Sequence, residues 1–127
     1  MRILSTRLHG VLDYLMAILL IVSPFVFNFA RDGAQMWIPI FLGVATLFYS
    51  LVTEYELGAV KLIPFRVHLL GHFFSGMFLM ASPFIFEFYE TIMLPHILLG
   101  LTTLTLEGMF SNSLTQKELL RDHGITL

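Results

Sequence analysis

Two pairs of ionisable side chains stand one helical turn apart in otherwise apolar surroundings: His9 with Asp13, and His68 with His72. A spacing of four places both members of a pair on one face of a helix. His-x-x-x-Asp and His-x-x-x-His each offer two metal-capable ligands. A carboxylate from Glu107 or Glu54 would complete a tetrahedral or octahedral set around a transition metal. The candidate ligands are therefore His9, Asp13, His68, His72 and Glu107. The same residue types would serve a proton relay. A third reading needs no chemistry: Arg7 and Arg66 neutralise Asp13, Glu54 and Glu107 in an ion-paired belt that satisfies its own polar groups. His96, beside Pro95, falls away from this layer and reads as an interfacial histidine without a role. The absence of cysteine excludes disulfides, thiolate zinc sites, Fe–S clusters and Cys nucleophiles. No nucleophile with a positioned base can be recognised, so enzyme activity ranks behind binding and structural roles.

A second constellation is Ser23-Pro24-Phe25, which recurs as Ser82-Pro83-Phe84. A proline lacks an N–H and clashes with the preceding turn. Each must therefore kink its helix, or start a new one with Ser23 or Ser82 as N-cap. The phenylalanines that follow alternate at period two, which is not helical. One reading ends the helix there, with Phe25, Phe27 and Phe29 and their counterparts around the bend as an aromatic anchor. The other has the broken backbone line a small polar cavity.

The elements that must hold these residues follow from composition. Of 127 residues, 57% are apolar and only 13% charged, against about 25% charged in soluble domains, which argues for life in a bilayer. A net charge of −2 leaves no basic excess for nucleic acid. Segments of about 20 apolar residues span the hydrocarbon as helices. Four qualify, near 8–29, 35–55, 66–88 and 93–112, joined by short polar connectors into an antiparallel bundle. Arg2, Arg7, Lys61, Arg66, Lys117 and Arg121 fall on one side and only Arg31 on the other, which predicts cytoplasmic N and C termini. The first segment is longer than a signal-peptide core and lacks a small-x-small cleavage site, so it is expected to remain.

Sliding the chain by 59 residues lays Arg7-Leu-His9 on Arg66-Val-His68, and Ser23-Pro-Phe-Val-Phe-Asn-Phe29 on Ser82-Pro-Phe-Ile-Phe-Glu-Phe88. At an offset of 57, Leu42-Gly43 and Thr46 fall on Leu99-Gly100 and Thr103. The expected fold is thus an all-α membrane protein of four transmembrane helices, built as two tandem parallel two-helix repeats (7–58 and 66–112) within one domain of 1–127. A unit with an even number of spans re-enters the membrane in the same direction, so equivalent residues should lie at equal depth. The paired Ser-Pro-aromatic motif resembles the SPW-repeat family of small bacterial integral membrane proteins, over nearly the whole chain. The family's aromatic is usually Trp, where this chain has Phe25 and Phe84. The resemblance implies the architecture and a bacterial inner-membrane location, not a mechanism.

Gly71, Ser75 and Gly76 suit close helix packing, and Thr46, Thr102, Thr103 and Thr105 suit bonds back to their own helix. After Asn112 the chain turns polar. Thr115-x-x-Glu118 reads as a capping box, Leu114 and Leu119 as its staple and Gly124 as a stop, which predicts a separate short amphipathic helix over 116–122 within a cytoplasmic tail of 113–127. The leading functional expectation is a non-enzymatic accessory or scaffold protein. Its partners would be the bilayer and a second copy or another membrane protein, met through small-residue and aromatic faces. The alternative is a metal-, ligand- or proton-binding or transport protein that uses the His/carboxylate layer.

Overall fold

In the computed structural model, residues 5–125 are described; Arg2, one of the charges counted above, and Leu127 lie outside them. Four helices follow in order: α1 (Thr6–Val26), α2 (Ala34–Leu51), α3 (Phe65–Ile85) and α4 (Leu94–Asp122). The described residues form no strand, only a single β-bridge between Thr53 and Ile63 in the α2–α3 connection. Helices α1, α2 and α3 are long and apolar enough to cross a membrane. Helix α4 falls short of that measure, because its threonines, His96 and Glu107 dilute its apolar stretch.

The surface is apolar and the interior is not. Phe41, Phe48, Phe74 and Leu15 are more than half exposed, whereas four histidines, Asp13, Glu107, Ser23, Ser50 and Ser82 are buried. This inversion is what a lipid solvent selects, since outward apolar side chains lose nothing there and polar groups must find partners inside. Helix α1 packs most extensively on α2, and α3 on α4. Lipid supplies no hydrophobic drive for such pairing, so close backbone approach must. A Cβ on Gly43 would lie 2.7 Å from the Ala17 carbonyl oxygen, and one on Gly100 would lie 2.8 Å from that of Gly76. The small residues Gly71 and Gly76 are likewise spent inside the molecule, on Tyr49 and on α4 respectively. Met16, Leu20, Leu79 and Leu99 form the apolar centre between the two hairpins.

The Ser-Pro pairs sit in the last turns of α1 and α3, and neither serine is an N-cap. Pro24 cannot donate to the Leu20 carbonyl four residues back; Ser23 Oγ donates to it instead, at 2.9 Å. Ser82 does the same for Leu79, at 2.7 Å, where Pro83 lacks the donor. Both helices then end in the same reverse turn. Asn28 and Glu87 adopt φ of 59° and 57°, and the N–H of Phe29 and Phe88 return to the carbonyls of Pro24 and Pro83, which is the Schellman closure. The period-two phenylalanines follow from this turn. Phe29 and Phe88 fold inward and are buried, while Phe25, Phe27, Phe84 and Phe86 face outward.

Two further expectations are corrected. Thr115 is not a cap: its hydroxyl donates to the Ser111 carbonyl, 3.1 Å, inside an uninterrupted α4. The polar segment thus continues the helix, helped by an ion pair between Glu118 and Arg66 at the start of α3. Gly124 does end it, with φ of 74° and Schellman bonds from Gly124 and Ile125. His96, expected to have no role, is almost fully buried and bonded. Its Nε2 donates, at 2.9 Å, to the Gln35 carbonyl, which is the one that Pro39 in α2 leaves without its helical donor. The rings of Phe29 and Phe88 pack against it. Thr102, Thr103 and Thr105 bond back to their own helix as anticipated.

Candidate functional site

Opposite the Ser-Pro turns, near the other end of the bundle, all five candidate ligands come together. Helix α1 contributes His9 and Asp13, α3 contributes His68 and His72, and α4 contributes Glu107; each is buried. Ser5 caps α1 by accepting from the Leu8 N–H, which fixes the turn that carries His9. One donor atom from each of His9, Asp13, His68 and His72 lies within 4.8 Å of all the others.

Asp13 is the hub. Its Oδ2 faces His68 Nε2 at 2.8 Å and receives the Tyr55 hydroxyl at 3.4 Å. Its Oδ1 lies 3.1 Å from His9 Nε2 and 3.5 Å from His72 Nε2. Glu107 Oε1 closes the ring from α4, 3.7 Å from His9 Nε2 and 3.9 Å from His72 Nδ1. Nearness here is not bonding. Both nitrogens of His9, Nε2 of His72 and Oε2 of Glu107 are buried without a hydrogen-bond partner. They border a gap of about 10 Å³, walled by Leu12, Met16, Leu106 and Phe110, the room taken by one water or one bare ion.

His68 is held from behind. Its ring stacks on Tyr49 with centroids 4.7 Å apart, and its Nδ1 is 2.7 Å from Thr53 Oγ1. That hydroxyl also lies 2.8 Å from the Tyr49 carbonyl. It has one hydrogen for two acceptors. When Thr53 donates to the carbonyl, Nδ1 must carry a hydrogen of its own. When it donates to Nδ1, a neutral ring with Nε2–H toward Asp13 satisfies both ring nitrogens. Thr53 and Tyr55 were not recognisable as site residues beforehand, because they reach the cluster only when the α2–α3 connection folds back over α1. That connection is pinned by Thr6 Oγ1 to the Glu56 carboxylate, 2.7 Å, and by the Tyr14 hydroxyl to the Leu57 carbonyl, 2.8 Å. Thr6 thereby holds the Glu56 carboxyl below its ordinary value.

The ion-paired belt is not formed. Arg66 is engaged by Glu118, Arg7 and Glu54 are exposed, and among the described residues no Lys or Arg pairs with Asp13 or Glu107. Two buried carboxylates thus lie in a compartment whose only basic groups, among the described residues, are three imidazoles.

The family model of the SPW repeat domain matches residues 7–109. The chain belongs to the SPW repeat family. No curated protein and no solved structure matches it. The matched span of this SPW protein takes in both Ser-Pro-Phe motifs and all five clustered side chains, and with three helices able to cross a bilayer it is a membrane protein. The motif's first two residues now have a physical reading: the proline opens the last turn of the helix by withholding one N–H, and the serine satisfies the carbonyl that the proline abandons. The third, Phe25 or Phe84 in this SPW chain, faces outward.

Proposed function

We propose that this SPW protein is a non-enzymatic accessory protein of the bacterial cytoplasmic membrane whose task is to hold one small cation in its buried His/carboxylate core. The observation that carries the reading is that, of the six buried side-chain atoms left without a hydrogen bond among the described residues, four gather in this core, two on His9 and one each on His72 and Glu107. A purely structural polar core has its groups hydrogen-bonded, since each unsatisfied one costs about 1–3 kcal/mol. Around a 10 Å³ gap, and with carboxylates that no Lys or Arg offsets, a cation is the occupant that balances both charge and bonding.

The remaining architecture in this reading is four spans with α4 as the fourth, both termini cytoplasmic, and two tandem two-helix repeats. The matching Ser-Pro turns, the matching glycine crossings and the pairing of His9 with His68 support the duplication, and the Lys/Arg distribution supports the orientation. A homo-oligomer or a partner would meet the outward aromatic faces, since the small residues face inward.

Native mass spectrometry of protein extracted in mild detergent tests the reading. The wild type should carry a mass excess of one cation, absent from His72→Ala and from Glu107→Gln. A wild type at the bare polypeptide mass, with both variants folded and equally stable, would overturn it.

A further inference from the structure

From the same cluster we infer the identity of the occupant: a divalent first-row transition-metal ion, coordinated by His9 Nε2, His72 Nε2 and Asp13 Oδ1, with the Glu107 carboxylate as fourth donor across the gap. This rests on the cation-binding reading and goes further by naming the ion class and separating ligands from supports.

Zn–N and Zn–O bonds of about 2.0–2.1 Å in a tetrahedron set donor-to-donor edges of roughly 3.3–3.4 Å. Three of the six edges can be compared: 3.1 Å from His9 Nε2 to Asp13 Oδ1, 3.5 Å from His72 Nε2 to Asp13 Oδ1 and 3.7 Å from His9 Nε2 to Glu107 Oε1, while Glu107 meets His72 on its Nδ1 side at 3.9 Å. Shifts of a few tenths of an ångström bring them to that value. Nor do these donors have other work, because His9 Nε2, His72 Nε2 and Glu107 Oε2 lack hydrogen bonds. Two imidazoles with two carboxylates favour zinc, iron, cobalt or manganese over the all-oxygen preference of calcium and magnesium.

His68 is assigned a different part. It does not border the gap; it takes Asp13 Oδ2 at 2.8 Å and is itself fixed by Thr53. That is the outer-shell arrangement that orients a coordinating carboxylate. His68 is therefore a positioning residue, although its spacing from His72 equals that of His9 from Asp13.

The test uses the full chain, purified without a polyhistidine tag. Elemental analysis should find about one transition-metal ion per chain, and stripped protein given one equivalent of Co²⁺ should develop the visible absorption of a four-coordinate site. His9→Ala and His72→Ala should abolish both signals. His68→Gln should keep the stoichiometry but bind about 10–100-fold more weakly, and the exposed His123→Ala should bind as the wild type does. The wild-type cobalt spectrum is a readout independent of whether core variants fold. Its absence overturns the inference, and so does full-strength binding by His72→Ala. A bound sodium or magnesium ion in the native mass spectrum overturns the transition-metal assignment while leaving the cation reading standing, and a bare polypeptide mass overturns both.

Discussion

A buried carbonyl without a donor must be met by something, and this molecule answers the demand three times. Ser23 serves Leu20 beside Pro24, Ser82 serves Leu79 beside Pro83, and His96 serves Gln35 beside Pro39. The arrangement predicts coupling. Ser23→Ala should destabilise the protein by about 1–3 kcal/mol, measured by unfolding in mixed micelles. Adding Pro24→Ala restores an N–H for Leu20, so the double variant should lose less than Ser23→Ala alone. Strict additivity would refute the account. How far such residues could be read beforehand depended on the range of their partners. That Ser23 and Pro24 act together was visible as a dipeptide; that the serine serves a carbonyl three residues back and not a following N–H was not, because the helix continues for one more turn before closing. For His96 there was no signal at all. Its acceptor lies 61 residues away, and Pro39 looked like an ordinary proline within a helix.

The hairpins are held by absence of side chain. Gly43→Ala and Gly100→Ala would each press a methyl group against a backbone oxygen of the facing helix and should cost about 1–3 kcal/mol. Gly108→Ala is the control: nothing lies within 4 Å of its Cβ position, so gain of helix propensity should leave it neutral or stabilised by about 0.5–1 kcal/mol. Equal losses at all three sites would show that close approach is not what the first two provide. The α2–α3 connection makes a pH prediction of its own. The Glu56 carboxyl is held below its ordinary value of 4.5, chiefly by the Thr6 hydroxyl. A depressed folded value means that the contribution is present above the unfolded value and is lost as pH falls through the folded one. Amide exchange across 53–58 should therefore quicken relative to the helices below about pH 4.5, and Thr6→Ala should show that faster exchange already at neutral pH. The helices were legible from apolar run length to within a few residues, except where local signals competed. Thr115-x-x-Glu118 has the composition of a helix start, yet the helix was already under way, and a run of good helix formers from Gln116 to Arg121 gave it no reason to stop.

Taken whole, the molecule is polarised. One end carries the reverse turns and the His96 bridge, the other the five-residue cluster, and the 11 helical steps of α1 from Asp13 to Pro24 separate them by about 16 Å. With five of the six described basic residues at the cluster end, a reporter that is active only in the cytoplasm should be active when fused after the last residue and silent when placed at Asp32. The reverse pattern would invert the molecule. Four of the five candidate ligands were legible as two i, i+4 pairs, and Glu107 as a carboxylate at matching depth. Their convergence was not legible, since it depends on which face each helix turns inward. Neither was the division between His68 and the rest, since spacing alone treats it as one of a matching pair.

The fold-back of the connection over α1 has a kinetic meaning. Tyr55 and Leu57 lie where any Cβ on Gly10 would be, and the cluster beneath is sealed to within a few per cent exposure. The gap itself is walled by Leu12, Met16, Leu106 and Phe110, so an occupant could leave only when the connection lifts or α1 and α4 part, and its residence time would be governed by that opening rate more than by the strength of a chelator waiting in the buffer.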